Sequence, residues 1–526
     1  MKKRFNVTGT CIPQKHYMVN IQSKIEQIEA LIENDNYFTI NRARQFGKTT
    51  TLFMLWKNLK DKYIIINISF EGMGDESFSS EAAFVRSFYN RAAQSLKYAG
   101  YSENLIKAWK VDREKKYSLE QLRDNIKDFC EKVEKEVLLF IDEVDKSSDN
   151  QLFINFLGIL RELYLSRAYG AATFKSVILT SVYDIKNLKL KLRPDDEIKY
   201  NSPWNIAVDF DVDMNFGVKE ISTMLEEYEK DENTGMDIET VSEEIFRYTS
   251  GYPYLVSLIC KYLDEKPDSS IAANEVWSVQ GVNTAVRDLL KNSNTLFDDI
   301  IKNVENNSKF KKMIQDILIN GKQVSYVISN REIALGKMFD IIAEKDGLCC
   351  VSNIIFETYL YNHFIIEQDL NAGITKETRN MFITEDGNLD MDLVMKKFAE
   401  LMQTEYRDSD EKFLEKQGRL LFLCFIKPII NGTGHYVVEA QTRDNKRMDI
   451  VIFYGKKEYI IELKIWHGEL KHGEGIEQLA EYMDIRKQNK GWLLTFCFNI
   501  NKEIVKEKYT SQIIEYEGKN IVSVIV

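Results

Sequence analysis

Three short runs of this chain carry residue types at spacings that could do chemistry. The first is Arg42–Thr50, RARQFGKTT. A turn whose backbone N–H groups face a phosphate, followed by a lysine and then a hydroxyl, makes a nucleotide-phosphate site. Gly47, Lys48 and Thr49 supply that end of the pattern, and Thr50 adds a second hydroxyl. Arg42 stands where the full motif has its first glycine. The second run is VLLFIDEVD, where an apolar stretch ends in Asp142–Glu143. A carboxylate there can hold Mg²⁺, and a neighbouring glutamate can orient or deprotonate an attacking water. Taken singly, a chance GKT and an acidic helix cap are the bland alternatives. Taken together, in this order, they predict nucleoside triphosphate binding, with Thr49 and Asp142 on the metal. Thr180–Ser181, ending a further apolar run, suit polar sensors near the terminal phosphate. Hydrolysis would need Glu143 and an arginine, either Arg193 or one from a second copy of the chain.

The third run lies far downstream. Asp449 sits in KRMDIVIFY, and Glu462 and Lys464 sit two apart in YIIELKIW. In a strand, residues i and i+2 share a face. Two carboxylates form a hard oxygen site suited to Mg²⁺ or Mn²⁺, and a lysine beside them can activate water or steady charge on a phosphate. Charges inside an apolar strand are costly unless paired or bound to metal. The alternative is an outward-facing ion pair on a solvated sheet. Glu415, with Glu411 one turn earlier, lies on the preceding helix and can reach toward the metal. Gln478 and Tyr482, four apart, share one face of the following helix. His467 and His472 could hold zinc or touch a phosphate. Trp466 and Trp492 could stack on bases, although core packing is the commoner role. Lysines 456, 457, 464, 471, 487 and 490 make a locally basic set, read as a DNA track or as a solvated surface.

Positioning these residues takes several elements. An amphipathic helix is predicted over 21–34 from Ile21, Ile25, Ile28, Leu31 and Ile32. Strands are predicted over 37–40, 63–70, 136–145 and 176–182, with a helix beginning near Thr50. Continuous apolar strands alternating with helices imply a parallel sheet covered on both faces. From about 211 to 375 the pattern is mostly helical. GLCCVSN (347–353) reads there as a hairpin arm, which suggests a winged helix. After a polar connection, a helix over 411–426, three strands, a helix from 475 and a final strand at 491–499 give the order α-β-β-β-α-β. The expected division is 1–210, 211–375 and 376–526.

The bulk numbers fit this organisation. A chain of 526 residues implies about three domains. Its 44% hydrophobic and 29% charged residues are those of a folded protein. A net charge of −11 argues against a surface that coats nucleic acid throughout, and leaves room for a local basic groove. Seven cysteines without regular spacing read as reduced core residues, which favours the cytoplasm. The N-terminus has no apolar signal region, and no apolar run is long enough to span a membrane.

Asp449 and Glu462-Leu463-Lys464 resemble the PD-(D/E)XK nuclease superfamily, with Met448 in place of the proline. Glu415 matches its first-helix acid, and Gln478 and Tyr482 match the QxxxY pattern of the RecB-like branch. The resemblance implies metal-dependent hydrolysis of DNA. RARQFGKTTTL, LLFIDEVD, LRPDDEIKYNSPWNIA (192–207) and SGYPYLVSLIC (250–260) resemble bacterial AAA-ATPase-like proteins that carry such a nuclease domain. Gly251-Tyr252-Pro253 is similar to the GxP element of STAND-type ATPases, which places Gly251 and Pro253 near the adenine of ATP. The resemblance implies a P-loop NTPase sheet, a helical lid with a winged helix, and a C-terminal α/β nuclease fold. It also implies a role in defence against foreign DNA. Partners beyond DNA would be a protein trigger or a second copy of the chain. The competing expectation is a nucleotide-dependent scaffold whose C-terminal module binds without cutting.

Overall fold

A computed structural model describes residues 2–112, 117–147, 151–182, 185, 203–265, 275–318, 322–369, 381–384, 386–405, 415–430, 434–441, 447–455, 457–466, 469–497 and 511–526. For some of these, Glu415 and Asp449 among them, it describes backbone alone. Arg193, Glu411, Lys456 and His467 fall outside the described residues. The chain divides into two compact units. Unit 1 holds Met1–Ser242, Gly251–Ser278 and Met338–Asp340, and unit 2 holds Glu243–Ser250, Val279–Lys337 and Ile341–Val526.

Unit 1 is built on four parallel strands, β1 (Phe38–Asn41), β2 (Ile64–Ser69), β3 (Val137–Asp142) and β4 (Ser176–Ser181), in the order β1-β4-β3-β2. Every residue of β3 and β4 is buried. This explains their unbroken apolar sequences, because a strand covered on both faces has no polar side to alternate with. The helices that follow or cover them are α1 (Gln22–Glu33), α2 (Lys48–Leu59), α3 (Glu81–Tyr98), α4 (Glu103–Lys107), α5 (Leu119–Lys132) and α6 (Gln151–Ser166). An aromatic core of Phe84, Phe88, Trp109 and Phe156 fills the space between helices and sheet. The mostly helical stretch adds α7 (Val218–Glu232) and α9 (Pro253–Glu265) to this unit, and between them in sequence α8 (Ile238–Thr249), which belongs to unit 2 from Glu243 onward. The P-loop helix begins at Lys48, two residues earlier than expected. Gly47 at φ 76° turns the chain directly into it, so lysine and threonine occupy its first turn.

Unit 2 opens with α10 (Val279–Lys291), α11 (Thr295–Glu305), α12 (Ser308–Leu318) and α13 (Arg331–Met338). An antiparallel pair, β5 (Ile342–Lys345) and β6 (Leu348–Val351), then leads into α14 (Ile354–Asp369). Next come α15 (Met391–Glu405) and α16 (Glu415–Ile430), then β7 (Gly434–Gln441), β8 (Arg447–Tyr454) and β9 (Lys457–Ile465). The last elements are α17 (Glu469–Ile485), β10 (Lys490–Phe496), β11 (Ser511–Tyr516) and β12 (Lys519–Ile525). The six strands are ordered β11-β12-β10-β9-β8-β7. β7, β8 and β9 form an antiparallel meander, while β10 is parallel to β9 and β12 is parallel to β10.

Two corrections to the sequence reading follow. α17 starts at Glu469, six residues before Gly475, and the β10 strand is not the last. β11 and β12 extend the sheet through a two-residue turn, Glu517–Gly518, with φ of 47° and 74°. Positive φ at both central residues is what a type I′ hairpin turn requires.

The two faces of this sheet are covered differently. A side chain at Gly418 of α16 would strike the Phe496 ring at 2.3 Å, and Trp492 donates to Asp392 of α15 at 2.8 Å. These residues belong to one face. On the other, a side chain at Gly475 of α17 would meet Lys464 at 3.1 Å, and one at Gly491 would meet Met483 of α17 at 2.8 Å. Glycine lets helix and strand approach at these points. Among the described residues no helix is long and apolar enough to cross a membrane.

Candidate functional site

The loop expected to bind phosphate lies between the C-terminal end of β1 and the start of α2. Gln45 and Gly47 both have positive φ (58° and 76°), which curls the loop around its own lysine. The Lys48 ammonium is buried and donates to the carbonyls of Arg42 at 2.8 Å and Ala43 at 2.9 Å. Burial pushes its pKa down, and Asp145, Glu143 and Asp142 oppose that shift. Arg42, in place of the first glycine, serves as a strut. Its guanidinium donates to Asn41 O at 3.0 Å and Val212 O at 2.8 Å and lies 5.2 Å from the centre of the Phe210 ring.

The acidic strand end faces this loop. Thr49 Oγ1 donates to Asp142 Oδ2 at 2.7 Å, so two hard oxygen donors from elements 93 residues apart converge. Thr180 Oγ1 donates to the other oxygen, Asp142 Oδ1, and Glu143 N–H donates to the same atom at 3.0 Å. Glu143 adopts φ 57°, an uncommon conformation for a non-glycine residue, in line beside Asp142. Burial raises the pKa of its carboxyl, as do Asp145 and Asp142, against the effect of Lys48. Asp145 accepts from Ser181 Oγ and, at 2.7 Å, from Val182 N–H. It thereby fixes the end of β4, a role the sequence reading did not assign to it.

Thr50, Gly251 and Pro253, the other residues expected at a nucleotide site, have these partners. Thr50 Oγ1 accepts from Cys11 N–H at 3.1 Å, so this hydroxyl holds the N-terminal segment against the loop helix. Gly251 O accepts from Phe216 N–H at 2.8 Å, and Pro253 begins α9. The residue between them, Tyr252, is what touches the loop. Its hydroxyl donates to Arg44 O at 2.6 Å, and its ring meets Phe46 edge-on at 4.8 Å. No local pattern marks Tyr252, because its partners lie more than two hundred residues upstream.

In unit 2, Glu462 has no exposed surface and accepts from Lys464 Nζ at 2.7 Å. Lys464 is partly exposed. Ile450 of β8 pairs with Ile461 of β9, and Asp449 and Glu462 are their neighbours in sequence. Gln478 Nε2 donates to Tyr482 Oη at 2.6 Å, so these two α17 residues are joined as their spacing allowed. Glu415 is the first residue of α16. Among the described residues no group of three or more His, Cys, Asp or Glu side chains is placed to hold a metal ion. His472 instead lies between Thr495 Oγ1 and Ser523 Oγ, each at 3.3 Å. Trp492 is buried against Tyr459.

Comparison with known proteins bears on the first two thirds of the chain. The family model described as an AAA-like domain matches residues 12–360. No curated protein matches the chain. Among solved structures, the Walker-type ATPase of Pyrococcus abyssi is 13% identical, with 68% of this chain and 99% of that chain covered and a TM-score of 0.47. The ORC1 protein of Aeropyrum pernix, solved in complex with DNA, is 10% identical, with 67% and 94% covered and a TM-score of 0.31. The ORC2 protein of the same organism, solved as ADPNP–ADP complexes, is 12% identical, with 69% and 98% covered and a TM-score of 0.33.

Proposed function

This chain belongs to the AAA-like domain family, and from that premise we propose that it is an ATP-dependent switch governing a metal-dependent DNA nuclease built on its C-terminal sheet. In the first site, Lys48 exchanges the carbonyls of Arg42 and Ala43 for phosphate oxygens of ATP. The Thr49 hydroxyl and Asp142 carboxylate suit Mg²⁺ as donors. Glu143 orients water and takes its proton. In the second site, Glu462 and Asp449 supply oxygens for Mg²⁺ or Mn²⁺, with Glu415 the additional acid on α16. Lys464 steadies charge on the scissile phosphate, and Gln478 and Tyr482 line the same helix. Held by these residues, a divalent ion would supply positive charge to screen the phosphate. DNA, foreign DNA in particular, is the substrate. A protein trigger or a second copy of the chain sets the state of the switch.

One observation carries the nuclease half: a fully buried glutamate ion-paired to a partly exposed lysine on an inner strand. Such a pair is expensive to bury and finds its use in phosphate chemistry. The test is cleavage of plasmid and single-stranded DNA with Mg²⁺ or Mn²⁺, with and without ATP. Glu462→Ala should reduce cutting by roughly 100-fold or more while ATP binding persists. Lys48→Ala should abolish ATP binding and with it the ATP dependence of cutting. Cleavage that survives Glu462→Ala refutes the assignment. ATP binding without any metal-dependent cleavage favours the scaffold reading.

A further inference from the structure

Beside Lys464 lies a feature that the chemistry above does not use. Trp466 follows Lys464 by two residues just past the end of β9, with its backbone N–H donating to Phe496 O at 2.8 Å. Its indole is half-buried, and its ring centre lies 5.2 Å from that of His472, tilted by 43°. The imidazole is held by two hydroxyls that are themselves buried, those of Thr495 and Ser523. Thr495 pairs with Lys464 across the strands, and the missing side chain at Gly475 lets α17 come down onto the Lys464 stem. Lys464 and Trp466, two apart on the strand, therefore share the face that α17 covers, and α17 brings His472 against Trp466. Glu462, Thr495 and Ser523 form a buried layer that fixes them.

The other tryptophan of this sheet shows what an ordinary structural indole looks like. Trp492 is 5% exposed, and its N–H is satisfied by Asp392. Trp466 differs in being half-buried, braced on one side by a fixed imidazole, and two residues from a partly exposed lysine. A partly exposed aromatic ring on the same strand face as a lysine is the kind of arrangement that single-stranded nucleic acid sites use, where the cation takes the backbone and the ring takes the base. Bases in an intact duplex are stacked on each other and cannot offer a face to an indole at the strand edge.

We propose that Trp466, oriented by His472, is a base-stacking residue, and that the substrate presented to the Glu462–Lys464 site is a DNA strand with an unpaired base. This rests on the nuclease reading for the role of Lys464, but the test reads binding and stands apart from cleavage. The full chain carrying Glu462→Gln, which suppresses cutting, is titrated into fluorescein-labelled DNA and followed by anisotropy. The DNAs are a single strand, the same strand with abasic sites, and a duplex. Trp466→Leu keeps apolar bulk and removes the π-face, whereas Trp466→Phe keeps a smaller one.

Stacking predicts that Trp466→Leu weakens single-strand binding by about 5- to 150-fold, while Trp466→Phe stays within a few-fold of the parent. It also predicts that the Leu substitution has no effect on the abasic strand or the duplex. His472→Ala should give a smaller loss confined to the base-containing single strand. Equal affinity of the Leu and Phe proteins, or equal losses on duplex and single strand, would overturn the proposal. So would a parent protein that does not prefer the base-containing strand. Should cleavage fail in the unsubstituted chain while this binding pattern appears, the nuclease reading falls and the stacking assignment stands.

Discussion

Replacing Gly251 with alanine tests the tie between the α9 region and the phosphate-binding loop. Gly251 has φ 77°, where an L-residue is strained by roughly 1–2 kcal/mol. Its added Cβ would lie 2.1 Å from Phe216 O, 2.8 Å from Phe216 N and 2.9 Å from Phe216 C. All three are backbone atoms, so no side chain can rotate away. Relief requires Phe216 and Gly251 to separate, which breaks the 2.8 Å hydrogen bond between them, a loss of about 1 kcal/mol. The sum is roughly 2–3 kcal/mol against unit 1. For a unit of this size, that lowers its melting transition by about 4–12 °C. The same movement carries the Tyr252 hydroxyl away from Arg44 O, so ATP affinity should fall by roughly three- to tenfold. The assay is thermal unfolding by circular dichroism, with titration of a fluorescent ATP analogue. Tyr252→Phe separates the two effects, since it removes the loop contact and leaves the backbone turn intact. It should lower affinity with little change in melting. A Gly251→Ala protein that melts within about 2 °C of the wild type would refute the steric argument.

Two other perturbations probe the same unit. Glu143→Gln should leave ATP binding unchanged and slow hydrolysis by about 10²–10⁴-fold, measured by phosphate release; equal losses in both would deny Glu143 the role of base. Asp340, which burial and Asp213 push up to about 7 against the pull of Arg42, predicts a pH effect. Its folded pKa exceeds the unfolded one, so the folded state binds more protons from about pH 4 to 7 and loses stability as pH rises through that window. Asp340→Asn should therefore gain on the wild type by roughly 2–4 kcal/mol between about pH 4 and pH 8 in urea unfolding; parallel pH curves for the two proteins would refute it.

What the sequence made legible was local. The strand, loop and helix around Gly47–Lys48–Thr49 follow from a short apolar run, a glycine and a helical pattern within some twenty residues. The i, i+2 spacing of Glu462 and Lys464 put both side chains on one face, and their hydrogen bond follows from that. Gln478 and Tyr482, four apart on a helix, meet for the same reason. Contacts between distant segments were not legible. Tyr252 reaches Arg44 across 208 residues, and Asp145 holds Ser181 across 36. Nothing in the neighbourhood of either residue encodes its partner. The β11–β12 hairpin is a different case, since Glu517–Gly518 was a usable turn signal. β11, SQIIEY, is largely exposed on both faces and has two adjacent isoleucines, so it lacks the alternation that marks a half-buried strand.

The burial of Glu462 bears on the choice between an enzyme and a silent binding module. Taking a carboxylate and an ammonium out of water costs several kcal/mol each, and their attraction returns that only with near-ideal geometry. A hydrophobic pair of similar size at positions 462 and 464 would be compatible with the flanking Ile460, Ile461, Leu463 and Ile465 and at least as stable. The Lys464 side chain is partly exposed, whereas the glutamate is buried. This asymmetry would serve a metal-assisted phosphate site, where the carboxylate must stay fixed and the lysine must reach substrate. It would serve a scaffold poorly, because a protein that only binds DNA gains nothing from a buried carboxylate, whose charge repels phosphate. The double substitution Glu462→Leu with Lys464→Met therefore separates the two readings. If the pair is there for chemistry, the protein should become as stable as the wild type or more so, by up to about 4 kcal/mol, while cleavage disappears. A protein that instead unfolds would show that the pair holds the sheet together, and the case for catalysis would lose its main support.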